Sequence, residues 1–307
     1  MTIRRIVPDS QKTELMEKLN IPHTGLLLAA VRNAELRRLF PLYVDPYAQM
    51  LVSKEATRLF ETMDPAANDM LTVRVRFFDD QILAAVDRGF EQFVVLGTGM
   101  DTRPYRQLSS PGHNLPSSIN WFEVDYQHVL EYKGEILKEV SSNPHLERVG
   151  SDIRDSKLFN NLQAQGFDRN KKTFFIMEGV MSYLKDEKVD AVICNISSIA
   201  VGGSQILIDI FGQSDMPSQT NPDRIYAPTP KILSLMPFSG TNRQPPIHLF
   251  DGHGLRNDIM TFNGHEDAHY GIFLFPPIRS LVLPPDLLIS WFALYTVLDK
   301  GIKAALR

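Results

Sequence analysis

The strongest local signal in the sequence is the run Val94-Val95-Leu96-Gly97-Thr98-Gly99-Met100-Asp101-Thr102-Arg103. Its three leading apolar residues predict the end of a buried strand, and a Gly-x-Gly turn follows them directly. Glycine is needed where the backbone takes a positive φ or lies close to a ligand. Thr102 stands where the dinucleotide fingerprint has its third glycine, and no Gly-Lys-Ser/Thr follows as in a phosphate-binding loop. The run therefore predicts a strand and a close turn, and it disfavours a diphosphate ligand.

Short apolar runs alternate with helical periodicity on the C-terminal side of this turn. Alternation of this kind is typical of parallel strand–helix–strand units, so we expect an α/β fold. Gly202 and Gly203 would end the predicted helix that precedes the last strand. The predicted strands are Phe93–Leu96, Trp121–Val124, Thr173–Met177 and Gln205–Ile210, and the predicted helix is Asp186–Ala200.

The chain divides into four segments by pattern. Residues 1–90 predict an N-terminal helical cap, and residues 91–210 predict the α/β core. Residues 211–264 are rich in Pro, Ser, Asn and Gly, which favours a lid or binding loop. Residues 265–307 would complete the core with strands and a helix. We expect a mostly parallel sheet with a C-terminal antiparallel hairpin.

The predicted hairpin consists of Tyr270–Phe275 and Ser280–Leu283. The apolar run Leu287–Leu298 predicts a buried helix. A helix that spans a membrane needs about 20 apolar residues, so this run is too short for that role.

Composition excludes several classes of protein. The 307 residues are 43% hydrophobic and 22% charged, as in a globular chain. The balance of 32 Lys+Arg against 36 Asp+Glu gives a net charge of −4, so we expect neither a nucleic-acid nor a membrane partner. Cys194 is the one cysteine, which excludes an internal disulfide and a Cys-based zinc cluster. With no secretory signal, a cytoplasmic location is expected. The oligomeric state is left open.

Acidic side chains follow the predicted strands. Asp125 ends the second strand, where a carboxylate can accept hydrogen bonds from ribose hydroxyls. Asp152 could bind an adenine amino group while Ile153 packs on the ring, although a helix N-cap is an alternative for Asp152. Glu178 ends an apolar strand and needs a positive partner, such as a ligand ammonium. The alternative is an ordinary glycine turn with Glu123 and Asp125 as helix caps. The set favours an adenosyl ligand without a diphosphate.

Five blocks, in order between Leu26 and Ile210, together resemble the leucine carboxyl methyltransferase family. This family includes polyketide O-methyltransferases and many uncharacterised bacterial members. The resemblance implies a Rossmann-like class I methyltransferase fold with S-adenosyl-L-methionine as cofactor. The blocks are Asp45–Ala48, Arg74–Asp80, Leu96–Arg103, Phe122–Asp125 and Glu178–Leu184.

The resemblance also implies roles for single residues, carried over by position. Arg74 would hold the methionine carboxylate, with a solvated helix face or a salt bridge to Asp79 or Asp80 as the alternative. Arg32 matches a basic family position near the same carboxylate. The other implied contacts are Gly97 and Gly99 from the turn, Asp125 to the ribose, Asp152 and Ile153 to the adenine, and Glu178 to the methionine amino end.

The implied activity is methyl transfer to a carboxyl or hydroxyl oxygen of a small molecule, in secondary metabolism. One branch of the family methylates the C-terminal leucine of a protein phosphatase and has Glu-Cys where this sequence has Glu178-Gly179. Because of this difference, methylation of a protein C-terminal leucine is only the alternative. A nicotinamide-dependent oxidoreductase and a non-catalytic adenosyl-binding protein are alternatives of other classes. Alignment of the nucleophile with an activated methyl supplies most of the acceleration. A carboxylate needs no base, whereas a hydroxyl benefits from one.

Three residues are candidates for the acceptor side. Tyr183 follows Glu178 closely, although it could also be a packing tyrosine. His265 and His269 could act as acid or base, or lie in a solvated loop. His265-Glu266-Asp267-Ala268-His269 matches the literal zinc-protease pattern, but no long apolar helix surrounds it, so no metal is predicted.

Overall fold

The computed structural model describes residues 7–21, 23–106, 108, 115–212, 250, 252–273, 277, 279 and 289–299. Within these residues, five helices precede the first strand, in agreement with the helical periodicity of this part of the sequence. Helix α5 begins with Pro65 after the N-cap Asp64, whose side chain accepts a hydrogen bond from the Ala66 N–H. The five are α1 (Asp9–Leu19), α2 (His23–Glu35), α3 (Ala48–Leu51), α4 (Lys54–Glu61) and α5 (Pro65–Asp87).

A mixed sheet of seven strands forms the centre, with the order β3-β2-β1-β4-β5-β7-β6. Strands β1 to β5 are parallel, and β7 runs antiparallel to both of its neighbours. The α/β class with a C-terminal antiparallel part is thereby confirmed. The strands are β1 (Gln92–Leu96), β2 (Asn120–Asp125), β3 (Leu146–Gly150), β4 (Thr173–Met177), β5 (Gln205–Gly212), β6 (Leu255–Phe262) and β7 (Ile289–Val297), and the remaining helices are α6 (Gln127–Ile136), α7 (Leu158–Ala164) and α8 (Asp186–Ile199).

Apolar layers cover both faces of the sheet. On one face α7 and α8 bury residues such as Val192 and Ile196 against β1, β4 and β5. On the other face α5 packs its aromatic residues, and Phe77 stacks on Phe292 of β7 with ring centroids 4.7 Å apart. A third cluster joins α1, α2 and α3 to α6. Because of this cluster, α2 lies over the carboxyl end of the sheet.

The C-terminal part differs from the sequence-based prediction. The run Leu287–Leu298, predicted as a buried helix, contains strand β7 instead. A strand that lies between two neighbours and is covered on both faces is apolar at most positions, so its sequence has no clear period-2 pattern to separate it from a buried helix. The antiparallel pairs are β5 with β7 and β6 with β7.

The segments predicted as a hairpin and a lid have a different structure where they are described. Residues 270–272 form a turn rather than the predicted strand, and Ser280–Leu283 lie outside the described residues. The segment predicted as a lid, 211–264, includes the end of β5 and the whole of β6. Residues 213–249 and 251 of that segment lie outside the described part. Within the described residues, no helix is long and apolar enough to cross a membrane.

Candidate functional site

A cavity of about 380 Å³ opens at the carboxyl ends of β1 to β4, under α2. Ligand sites of α/β sheets lie at this edge, and this volume is within their usual range of roughly 300–1,000 Å³. Apolar side chains such as Leu28 and Val129 form much of its wall. The structure brings most of the predicted site residues to this cavity: Arg32, Gly97, Gly99, Asp125, Asp152, Ile153, Glu178 and Tyr183.

The glycine turn forms the floor of the cavity. Gly97 has φ +73°, and a Cβ atom at this position would lie 2.6 Å from Cγ2 of Val180. A side chain at residue 97 would therefore be both strained and in collision. Gly99 also has a positive φ, +47°, but a Cβ atom there would meet no other atom within 4 Å. The turn therefore needs glycine at residue 97 because of both the positive φ and the contact with Val180, and at residue 99 because of the positive φ alone.

Asp125 lies at the end of β2 and faces the turn. One carboxylate oxygen, Oδ2, accepts the Gly99 N–H at 2.7 Å, and Oδ1 accepts the Tyr126 N–H at 2.8 Å. Burial raises the pKa of Asp125 above its ordinary value, although the two backbone donors oppose this shift. Each oxygen keeps a lone pair for a further donor. The carboxylate can thus accept hydrogen bonds from two adjacent hydroxyls.

Asp152 lies at the rim, after β3, and is already paired. Its Oδ1 accepts Arg154 Nε at 2.8 Å, and the Tyr126 hydroxyl donates to Oδ2 at 3.4 Å. The hydrogen bonds from Arg154 lower the pKa of Asp152. Ile153, beside it, packs against the core between the sheet and α8. Any donor from a ligand would share Asp152 with Arg154.

Glu178 is held between two arginines at the end of β4. Arg74 Nε lies 3.2 Å from Oε1, and Arg103 Nη1 lies 2.7 Å from Oε2. Burial opposes ionisation, but Arg103 and Arg74 more than offset it, so the pKa of Glu178 is lowered. Arg103 also binds Asp79 at 2.7 Å and Asp101 at 2.8 Å. Glu178 is therefore ionised at neutral pH and fixed in position.

Arg74 lies behind Glu178 and outside the cavity wall. Its Nη1 binds Asp209 of β5 at 3.1 Å. Its Nη2 is buried, with no hydrogen-bond partner in the described part of the chain. The predicted contact of Arg74 with a ligand carboxylate stays a prediction, and Nη2 is the atom with a donor to spare.

Arg32 reaches the cavity from α2. Its Nε lies 3.0 Å from Asp45 Oδ2, and its Nη2 donates to the carbonyl oxygen of Met100. The hydroxyl of Thr102 donates to the same Asp45 oxygen at 2.6 Å. These contacts connect α2 to the glycine turn. Tyr183, which also lines the cavity, hydrogen-bonds Thr24 of α2 and has its pKa raised by burial.

His265 and His269 do not line this cavity. They follow β6, which lies at the far edge of the sheet from β2 and β3. The His265 ring packs on Phe262 with centroids 5.3 Å apart, and the His269 ring packs on Phe273 at 5.5 Å. Among the described residues, no group of three or more His, Cys, Asp or Glu side chains could hold a metal ion.

The sequence patterns missed several charged residues around the cavity. Asp209 and Glu178 bind the same arginine although 31 residues separate them (209 − 178). Sequence spacing carries no signal for such contacts, because they arise only when β4 and β5 lie side by side. Asp101 and Arg103 belong to one of the blocks that resemble the family, and their side chains form an ion pair with each other.

Comparison with known proteins gives a family match. The profile of the family described as leucine carboxyl methyltransferase matches residues 25–197, more than half of the chain. A Mycobacterium tuberculosis protein, provisionally named S-adenosyl-L-methionine-dependent methyltransferase, is 32% identical over 206 residues, which are 61% of this chain and 64% of that protein. A protein of the same provisional name from Rhodococcus jostii is 31% identical over 75% of this chain and 81% of its own length.

Solved structures with the same fold are more distant in sequence. A crystal structure of a provisionally named methyltransferase from Thermobifida fusca has a TM-score of 0.57 at 16% identity, over 89% of this chain and 94% of that one. A DUF574 family protein from Streptomyces avermitilis has a TM-score of 0.55 at 13% identity, over 88% and 96%. These comparisons confirm the resemblance and the fold class predicted from the sequence.

Proposed function

Because the chain belongs to the leucine carboxyl methyltransferase family, we propose that it is an S-adenosyl-L-methionine-dependent O-methyltransferase. The acceptor is a small molecule with a carboxyl or hydroxyl group. One observation carries this proposal: Gly97, Asp125 and Glu178 follow neighbouring parallel strands and line one cavity. The names of the M. tuberculosis and R. jostii relatives support the methyl donor.

The residues of the cavity fit this donor chemically. Asp125 can accept two ribose hydroxyls, and Ile153 offers an apolar surface at the rim for the adenine. Glu178 is an ionised acceptor for the methionine ammonium group, and Arg32 and the spare Nη2 of Arg74 are cations for its carboxylate. The donor, when bound, supplies a methyl group already activated by its sulfonium.

The contribution of the protein is alignment of the acceptor and exclusion of water. Helix α2 covers the glycine turn and is tied to it through Arg32 and Met100. Tyr183 stays protonated, because burial raises its pKa, so its hydroxyl can donate to an acceptor oxygen. A carboxylate acceptor needs no base. For a hydroxyl acceptor, His265 and His269 would have to act from outside the described cavity wall.

The test is calorimetric titration with S-adenosylhomocysteine and, separately, with NAD. We expect only S-adenosylhomocysteine to bind. Asp125→Ala should weaken its binding by roughly 1–3 kcal/mol, since the ribose hydroxyls lose a buried partner. Asp155→Ala removes an exposed aspartate outside the cavity wall and should leave the affinity unchanged.

The outcomes separate the alternatives. Binding of NAD would indicate an oxidoreductase, and unchanged affinity of Asp125→Ala would remove the ribose role of Asp125. With radiolabelled methyl donor and a panel of acceptors, a base-labile product indicates a methyl ester and a base-stable one a methyl ether. Binding without transfer to any acceptor would favour a non-catalytic adenosyl-binding protein.

A further inference from the structure

Lys133 of α6 is fully buried beneath the glycine turn. Its Nζ donates to Glu123 Oε1 at 2.6 Å, to Thr98 Oγ1 at 3.1 Å and to the carbonyl oxygen of Asp101 at 3.2 Å. An ammonium group has three N–H donors, so every donor of Lys133 has an acceptor. A buried lysine is rare, because its charge must be removed from water.

Charge neutralisation of Glu123 explains only part of this arrangement. Glu123 has a second cation, since Arg148 Nε lies 3.3 Å from its Oε2. Two of the three acceptors of Lys133 belong instead to the segment that lines the cavity, namely Thr98 and Asp101. Lys133 thus connects α6 to the turn itself.

The turn is otherwise held mainly from β2. The N–H groups of Gly97 and Thr98 both donate to the Val124 carbonyl oxygen, at 2.8 and 3.1 Å. Gly99 donates to Asp125, also of β2. Lys133 adds contacts from α6, and one of these reaches the carbonyl oxygen of Asp101, beyond the second glycine. The backbone between residues 97 and 101 is therefore fixed from two directions.

We propose that Lys133 is a positioning residue for the adenosyl-binding turn. It acts through the Thr98 hydroxyl and the Asp101 carbonyl group, and it holds Gly97 and Gly99 in the conformation that faces the donor. The proposal rests on the function proposed above. It predicts that a side chain outside the cavity wall controls affinity for the donor's adenosyl part.

The test is a double-mutant cycle on S-adenosylhomocysteine affinity. Lys133→Met removes the ammonium group, and Thr98→Val removes its hydroxyl acceptor on the turn. We expect each single variant to bind about tenfold more weakly. The double variant should bind no more weakly than the weaker single variant, because the Lys133–Thr98 contact that Thr98→Val breaks is already lost in Lys133→Met. Lys138→Met is the control, since Lys138 is an exposed lysine just after α6 that pairs with Glu135 at the surface.

Stability is measured beside affinity, by circular dichroism and cooperative thermal unfolding. A merely structural lysine would lower the unfolding temperature of Lys133→Met but leave the affinity of the folded protein unchanged, and that result overturns the proposal. The proposal is also overturned if the affinity losses of the two single variants multiply in the double variant. If Lys133→Met does not fold, the affinity of Thr98→Val tests the proposal, since this variant keeps the Lys133–Glu123 pair. Wild-type affinity in Thr98→Val would then refute the proposal. Absence of binding in the wild-type protein refutes the proposed function instead.

Discussion

At the scale of single residues, the charge on Glu178 is the feature on which the site depends. Its carboxylate is shared by Arg74 and Arg103, which themselves bind Asp209 and Asp79. Buried charges of this kind are stable only as a complete set. The loss of one member leaves an uncompensated charge in the interior.

Glu178→Gln keeps the shape of the side chain but removes its charge. We expect a loss of about 3–5 kcal/mol in the free energy of unfolding, because two buried arginines lose a shared anion. Binding of S-adenosylhomocysteine should fall as well. Urea denaturation at neutral pH measures the first effect. Glu147→Gln, at an exposed position of β3, is the control and should change stability by less than about 0.5 kcal/mol. A Glu178→Gln protein as stable as this control would contradict the interpretation.

Asp101 gives a pH dependence. Burial opposes its ionisation, but Arg103, Arg32 and Lys133 lower its pKa from 3.8 to about 2. A carboxyl group whose pKa is lower in the folded state stabilises the protein above pH 3.8, and this contribution is lost as the pH falls towards 2. The full contribution is about 2 kcal/mol.

Asp101→Asn removes this titration. The stability gap between the wild-type protein and Asp101→Asn should be constant from pH 7 to about 5 and should narrow below that, by about 1 kcal/mol at pH 3. Urea denaturation across this range measures the gap. A gap that stays constant down to pH 3 would show that Asp101 titrates as in the unfolded chain.

The sequence predicted these residues unequally, for a physical reason. Gly97, Asp125 and Glu178 each follow a predicted strand directly, so the sheet alone brings them to one edge. Lys133 and Asp209 act through contacts between separate elements, which no local pattern records. The roles of the cavity residues in ligand binding stay predictions until they are tested.

At the scale of elements, the β1 turn depends on glycine to different degrees at its two positions. Both Gly97 and Gly99 have positive φ, but only residue 97 lies against a neighbour, Val180. We expect Gly99→Ala to cost about 1–2 kcal/mol for the left-handed backbone alone. Gly97→Ala should cost more, since its Cβ would collide with Val180.

Val180→Ala separates the two costs at residue 97. The double variant Gly97→Ala/Val180→Ala should be destabilised by less than the sum of the two single variants, because the smaller side chain relieves the collision. The backbone cost should remain. Thermal and urea unfolding measure all four proteins. Strict additivity would mean that Val180 moves away without cost.

The C-terminal elements show where the sequence patterns were insufficient. Strand β7 was predicted as a helix, because Ile289–Val297 is apolar except at Ser290 and Thr296 and lies between two strands. Strand β6 falls in a segment predicted as a lid, since its exposed edge carries polar residues such as Asn257 and Asp258 and a register shift between Asn257 and Ile259. In contrast, β1, β2, β4, β5 and α8 lie within one or two residues of their predicted positions.

At the scale of the whole molecule, the site joins three parts of the chain. The helices before β1 supply Arg32 and Arg74, the end of β4 supplies Glu178, and β5 supplies Asp209. Among the described residues, those that line the cavity all lie before position 185. Binding of the donor and selection of the acceptor are therefore expected to separate along the chain.

Replacement of residues 213–249 tests this separation. These residues connect Gly212, at the carboxyl edge of β5, to Phe250, which packs on Tyr295 of β7. A linker of about 12 Gly and Ser residues is long enough to span the length of the strands. We expect affinity for S-adenosylhomocysteine to stay within about threefold of the wild-type value, while methyl transfer to an acceptor of the wild-type enzyme is lost. Equal loss of binding and transfer would show that the segment also serves the donor.

The position of β7 in the sheet affects how the chain can fold during its synthesis. It lies between β5 and β6 but is translated after both, and its last residue follows the end of β5 by 85 positions (297 − 212). At roughly 5–20 residues per second, the ribosome needs on the order of 4–17 s to cover that distance. During this interval β5 lacks its neighbour β7, so the backbone N–H and C=O groups along that edge are without their strand partner. A nascent chain of this protein is thus expected to depend on chaperones until β7 emerges from the exit tunnel.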